Sequence, residues 1–165
     1  IDTVMLAMDS SGSMRAGDVQ PSRIEAAQAA AKSFVLGQPA HVKLGVVSVA
    51  GAAALVQAPT DQRDLVIQAI DQLSLQPGSA LGSGIVIALH AMLPGSGLDV
   101  RGLIDGETTL KQLVEVASLL QKKPLQVAKM PLNFACIPYL LFYCFIFQEQ
   151  KINHPTMLMP VLDDF

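Results

Sequence analysis

A short polar stretch near the start of the chain carries the residues best suited to chemistry. Asp9, Ser11 and Ser13 occupy alternate positions directly after the apolar run of residues 3–8, and Gly12 lies among them. One carboxylate and two hydroxyls offer three hard oxygen donors, the ligand type that Mg²⁺ prefers. A glycine permits the tight turn that would direct both hydroxyls to one point. The same residue types are common in ordinary turns, so this stretch alone allows either interpretation.

Two apolar segments and a short neighbour predict the sheet that must position these donors. Residues 3–8 and 42–50 are apolar almost throughout, which is typical of parallel strands buried on both faces. Residues 52–56 predict a short antiparallel edge strand. Helical patterns cover the segments 22–37, 62–73 and 85–93, the first with the capping-box pair Ser22 and Glu25. This alternation predicts an α/β domain with a Rossmann-like, doubly wound, mainly parallel sheet, whose ligands collect at the carboxyl ends of the strands.

Composition limits the classes of function. A length of 165 residues suits one domain, and 51% apolar with only 15% charged residues suits strands covered on both faces. The net charge of −3 and the lack of a basic run argue against nucleic acid as a partner. Neither Cys136 nor Cys144 has further Cys or His residues at zinc-ligand spacing. Because the first residue already belongs to a strand pattern, we expect the chain to be a piece of a longer protein.

Two motifs in their strand and helix context resemble those of the von Willebrand factor A (VWA) domain family. Residues 9–14 match the family's Asp-x-Ser-x-Ser metal motif, in its place after the first strand. Residues 78–82, Gly-Ser-Ala-Leu-Gly, resemble the family's second loop, usually Gly-Thr-Ala-Ile-Gly, with Ser79 in place of the threonine. Residues 8–93 are especially similar to bacterial membrane-tethered members of the aerotolerance type. The resemblance thus covers a little over half of the chain.

The resemblance implies a VWA-like fold and a metal-ion-dependent adhesion site. Asp9, Ser11 and Ser13 would hold Mg²⁺ (or Mn²⁺ or Ca²⁺), Ser79 would add a hydroxyl, and an acidic group of a partner protein would take the open position. It also implies a binding module and not an enzyme, with the domain in the aqueous phase and any membrane tether outside this chain. Two alternatives stay open: a domain of an intracellular chelatase or ATPase-type complex, and a truncated remnant with an incomplete metal site.

The third loop of the family has two interpretations in this chain. The family places an aspartate after a fourth buried strand, and Asp105 followed by Gly106 has the right residue types. However, residues 98–104 include an acid, a base and a glycine, which disfavour a central parallel strand. Alternatively, Asp105 leads into a late helix over residues 109–121, and the fourth strand is missing, which leaves the sheet incomplete.

The last part of the chain differs in composition from the rest. Seven of the eight Phe and Tyr residues lie after position 133. The apolar run of residues 134–147 is 14 residues long, short of the roughly 20 that a membrane-spanning helix needs. A short strand is predicted over residues 124–129. We therefore predict a VWA-like domain over residues 1–129, clear to about residue 93, and an apolar, aromatic tail of uncertain origin over residues 130–165.

Overall fold

The computed structural model describes residues 2–105, 118, 125–129 and 144–149. The strands are β1 (Thr3–Asp9), β2 (Lys43–Val49), β3 (Ala53–Thr60), β4 (Leu125–Lys129) and β5 (Cys144–Glu149). The α-helices are α1 (Arg23–Gly37), α2 (Arg63–Asp71), α3 (Leu81–Met92) and α4 (Val100–Asp105). A short 3-10 helix, Gly12–Arg15, follows β1 almost directly.

The strands form one sheet in the order β3-β2-β1-β5-β4. β1 and β2 pair in parallel, from Thr3 opposite Lys43 to Asp9 opposite Val49, so their carboxyl ends lie level at one edge. β3 pairs antiparallel with β2, and β5 and then β4 continue the sheet antiparallel on the other side of β1. The α/β class and the antiparallel edge strand are confirmed, although β3 is longer than the predicted strand.

The hydrophobic core lies on both faces of β1. Val4, Leu6 and Met8 face one cluster, in which Val35 of α1 and Ile70 of α2 are fully buried. The intervening residues of β1 face a second cluster with β2 and α3, which includes Met5, Ala7, Val47, Val49, Ala88 and Leu89. Burying each large apolar side chain contributes roughly 1.5–3 kcal/mol, so the core fixes β1 and the position of its last residue. Helices on both faces confirm the doubly wound arrangement.

The start of α1 confirms Ser22 as the N-cap and shows it bonded to Glu25, its partner in the predicted capping-box pair. Ser22 Oγ accepts a hydrogen bond from Glu25 N at 3.4 Å and donates to Glu25 Oε2 at 2.7 Å. The helix ends at Gly37, as the sequence predicts.

Helix α3 begins four residues before the start predicted from its apolar pattern, at Leu81 instead of Ile85. Its first turn contains Gly84, where a Cβ would lie only 2.6 Å from Val49 Cγ2. The glycine therefore lets this turn pack tightly on β2, and packing outweighs the low helix propensity of glycine.

The segment that one interpretation assigned to a fourth strand contains a helix. α4 packs against α3 and none of its residues is buried. Asp99 Oδ1 accepts a hydrogen bond from Gly102 N at 3.1 Å, a bond typical of a helix start. The strand interpretation of residues 98–104 is wrong, because their charged residues and glycine suit an exposed turn of helix. The helix predicted over residues 109–121 lies outside the described residues, apart from Ser118, which is helical.

The described residues after position 118 form two strands. β4 confirms the short strand predicted over residues 124–129. β5 falls within the predicted tail, and it pairs with β1 from Val4 opposite Gln148 to Met8 opposite Cys144. The rest of the tail lies outside the described residues, and the boundary at residue 130 stays a prediction.

Candidate metal site

The first loop (residues 10–14) folds its polar side chains around the end of β1. Ser11 N donates to Asp9 Oδ1 at 2.8 Å, which fixes the carboxylate over the loop. Met14 N donates to the Ser11 carbonyl at 3.0 Å and closes the 3-10 turn. This turn places Ser11 Oγ and Ser13 Oγ 3.0 Å apart. Local backbone geometry thus brings the two predicted hydroxyl donors together beside the predicted carboxylate.

The first loop is anchored to β2 and to the core on one side, and its other side is partly exposed to solvent. Ser10 is fully buried, its N donates to the Val49 carbonyl at 2.9 Å, and its Oγ donates to the same oxygen at 3.4 Å. The buried side chain of Met14 joins the core. Asp9 is half-buried and Ser13 is exposed. Asp9 and Ser13 therefore reach the surface at the carboxyl edge of the sheet, where ligands of such sheets bind, while Ser11 is buried.

The second loop (residues 76–80) lies beside the first loop and carries Ser79. Gln76 N donates to the Ser10 carbonyl at 3.0 Å, and Ser11 and Gln76 form an isolated parallel bridge. At its other end, Ala80 N donates to the carbonyl of Ala50, just past β2. Ser79 is exposed and lies between these two fixed points. The backbone thus brings the predicted fourth donor to the same edge of the sheet as the first three.

Sequence reasoning missed two residues that hold this arrangement. Gln76 links the second loop to the first through its backbone, and Gly51 lies against Pro77 and Gly78. A glycine directly after a predicted buried strand was the signal for Gly51, but its contact partners lie 26 and 27 positions further on in the chain. No local pattern points to the role of Gln76.

Asp105, the fifth predicted donor, is the exposed last residue of α4. It ends a helix, whereas the family pattern places this aspartate after a strand. Within residues 2–105, no hydrogen bond or ion pair joins its side chain to the first loop. Its role as a ligand stays a prediction.

The donor set fits a small divalent cation. Oxygens in neighbouring octahedral positions, each at about 2.0–2.1 Å from Mg²⁺, are about 2.9 Å apart. The separation of Ser11 Oγ and Ser13 Oγ, 3.0 Å, is close to this value. Without a cation, the same separation is a hydroxyl hydrogen bond. The part of the chain that the structure describes has no cluster of three or more His, Cys, Asp or Glu side chains that could hold a metal, so the site rests on one carboxylate and hydroxyls.

Known proteins resemble part of this chain. Residues 4–97 match the family model of the von Willebrand factor type A domain. A protein named "UPF0353 protein" from Nocardia farcinica is 48% identical over 90 residues, which are 54% of this chain and 27% of that protein. The match therefore spans about a quarter of the length of this curated relative.

Solved structures of bacterial proteins share the fold. An aerotolerance-related membrane protein from Bacteroides fragilis is 32% identical, with a TM-score of 0.51 over 56% of this chain and 47% of that one. The protein BatB from Bacteroides thetaiotaomicron is 30% identical, with a TM-score of 0.52 over the same shares of the two chains. Among the described residues, no helix is long and apolar enough to cross a bilayer. The match over more than half of its length shows that the chain belongs to the von Willebrand factor type A domain family.

Proposed function

We propose that this domain binds a partner protein through a divalent cation, Mg²⁺ or alternatively Mn²⁺ or Ca²⁺, held by Asp9, Ser11 and Ser13. Membership in the von Willebrand factor type A family supports a protein-interaction module. The main observation in support of a bound cation is the 3.0 Å spacing of two hydroxyls beside a carboxylate at the end of a buried strand. Ser79 supplies a further hydroxyl from the second loop, and Asp105 is an additional candidate ligand.

The electrostatics of the site favour an acidic partner. With Asp9 as the one carboxylate beside the first loop, a bound divalent cation would keep excess positive charge and an open position for a carboxylate oxygen. Ser13 is exposed and Asp9 half-buried, so a side chain from another protein can reach this position. We infer that a Glu or Asp side chain of the partner completes the site, and that the domain itself acts by binding and not by catalysis.

We propose a membrane-associated location by analogy with related structures. The aerotolerance-related structure from Bacteroides fragilis is that of a membrane protein. This relationship supports a membrane-associated protein whose metal site faces the aqueous phase.

Thermal and urea unfolding, each with and without Mg²⁺, test whether the domain binds the cation. At a Mg²⁺ concentration of 100 times Kd, the free energy of unfolding should rise by about 2.7 kcal/mol, and Asp9→Ala should abolish this gain. Asp61→Ala is a matched control, because it removes one exposed carboxylate at the opposite edge of the sheet, where Thr60 pairs with Leu44. Asp105→Ala shows whether the Asp105 carboxylate contributes to the gain in stability from Mg²⁺. If the wild-type domain gains no stability from millimolar Mg²⁺, Mn²⁺ or Ca²⁺, the proposal is wrong.

A small carboxylate can stand in for the partner. Acetate titrated into the Mg²⁺-loaded domain should shift the backbone NMR signals of Ser11 and Ser13, because it occupies the open position. The same titration without Mg²⁺, or with Asp9→Ala, should leave these signals in place. Equal shifts with and without the cation would argue against a metal-bound carboxylate.

A further inference from the structure

Two glycines from distant parts of the chain meet beside the candidate metal site. Gly51 follows β2, and Gly78 lies in the second loop with φ of +86°. A Cβ on Gly51 would overlap the carbonyl oxygen of Pro77, and a Cβ on Gly78 would lie 2.8 Å from Gly51 Cα. Both contacts are with backbone atoms, which cannot rotate away as the end of a side chain can. The second loop therefore lies as close to β2 as the absence of two side chains permits.

This contact lies next to the donor that the second loop carries. Ser79 follows Gly78 directly, and the next residue, Ala80, donates its N–H to the carbonyl of Ala50, the neighbour of Gly51. On the other side of the contact, Gln76 is bonded to Ser10 in the first loop. The distance between the second loop and the end of β2 thus also sets how far Ser79 lies from the first loop.

We propose that the contact between Gly51 and Gly78 positions Ser79 for the cation, and that both glycines are positioning residues of the metal site. This inference rests on the proposed function. A side chain at either glycine would push the second loop away from β2 and carry the Ser79 hydroxyl away from the hydroxyls of the first loop. Neither glycine touches the cation, so each acts only through Ser79.

A double-mutant cycle tests this dependence. Gly51→Ala should weaken Mg²⁺ binding, measured by calorimetry, by about 10-fold, the usual loss when a group that orients a metal ligand is removed. In a Ser79→Ala background the same change should have no further effect, because the hydroxyl that it displaces is already absent. Gly82→Ala is the matched control: a Cβ there meets nothing within 4 Å, so the Mg²⁺ affinity should not change.

A second variant changes the other glycine of the contact, Gly78. Asparagine tolerates a positive φ, so Gly78→Asn adds a Cβ at the contact without a large backbone penalty. It should also weaken Mg²⁺ binding by about 10-fold. Gly95→Asn is its control, since Gly95 also has a positive φ, +81°, but open space around its Cβ position. Amide hydrogen exchange in metal-free protein gives a separate readout: Ala80 N–H should exchange faster in Gly51→Ala and Gly78→Asn than in either control.

The outcomes separate this inference from the proposed function. A wild-type domain that binds no Mg²⁺ overturns both. If the wild type binds Mg²⁺ and either variant binds it as tightly, with Ala80 exchange unchanged, the inference fails and the proposed function stands. A loss of affinity for Gly51→Ala that is equal with and without Ser79 would likewise overturn the inference, because it would show a general loss of structure. A loss of Mg²⁺ affinity that occurs only when Ser79 is present supports the inference.

Discussion

The two loops of the candidate metal site are held by different kinds of interaction. The turn of the first loop is set by neighbouring residues: Ser11 N bonds to Asp9, and the 3-10 turn brings Ser13 close to Ser11, while Ser10 N bonds to Val49 of β2. The second loop is held by backbone contacts with residues far away in the chain, Ser10, Ala50 and Gly51. The comparison shows that a local motif can specify one half of a site, while the other half depends on how closely a helix and a loop pack on the sheet.

Among variants that test this difference between the loops, the largest loss of stability is expected where α3 packs on β2. Gly84→Leu places a side chain against Val49, which lies 2.6 Å from the Cβ position. Overpacking of this kind should lower the free energy of unfolding by about 1–3 kcal/mol, measured with urea. Its NMR shift changes should concentrate in α3 and the second loop and spare Ser11 and Ser13. Gly82→Leu, with open space around its Cβ position, should change stability much less. Equal perturbation of both loops would contradict the separation between them.

A smaller effect is expected where the first loop is tied to β2. Ser10→Ala removes the long bonds from Ser10 Oγ to the Val49 carbonyl, 3.4 Å, and to Ser48 Oγ, 3.5 Å. The loss should be near the low end of the usual 0.5–1.5 kcal/mol, roughly 0.5 kcal/mol, because Ser10 N keeps its bond to the same carbonyl. Ser33→Ala, on the exposed side of α1, is the reference in the same urea titration. A loss of several kcal/mol would mean that the loop depends on this hydroxyl and not on its backbone.

The smallest effect concerns the segment that joins the first loop to α1. Arg23 donates two hydrogen bonds to Asp18, at 2.7 and 2.8 Å, and this bonding holds the pKa of the Asp18 carboxyl below its usual 3.8. A lowered pKa in the folded state adds stability that is present above the unfolded value and is lost as the pH falls through the folded value. Asp18→Asn should therefore be slightly less stable than the wild type at pH 7, and the difference should vanish at a pH well below 3.8. A difference that stays constant with pH would show that the charge is not its source.

Much of the fold could be predicted because it is encoded locally. The apolar run of β1, the Asp-x-Ser-x-Ser motif and the N-cap at Ser22 each lie within a few neighbouring residues. Their structures therefore depend little on distant parts of the chain. The α/β class and the first loop follow from such patterns, and they agree with the structure.

The remaining features depend on tertiary packing, which single-sequence patterns do not show. Ser79 could be placed on its loop by resemblance, but the contact of Gly51 with Gly78 arises only when β2 and the second loop meet. The early start of α3 depends on the space that Gly84 leaves for Val49. Helix α4, instead of a fourth strand, reflects packing against α3 of a segment that is too polar for the middle of a sheet.

Paramagnetic broadening by Mn²⁺ tests the central claim most directly, since it reports which residues surround one cation. With Mn²⁺ added well below the protein concentration, the account predicts that the amide NMR signals of Ser11, Ser13 and Ser79 broaden together. The signals of Asp61 and Gln62, at the opposite edge of the sheet, should stay sharp. Broadening confined to the first loop, or spread evenly over exposed carboxylates, would contradict the claim that two loops meet at one metal ion.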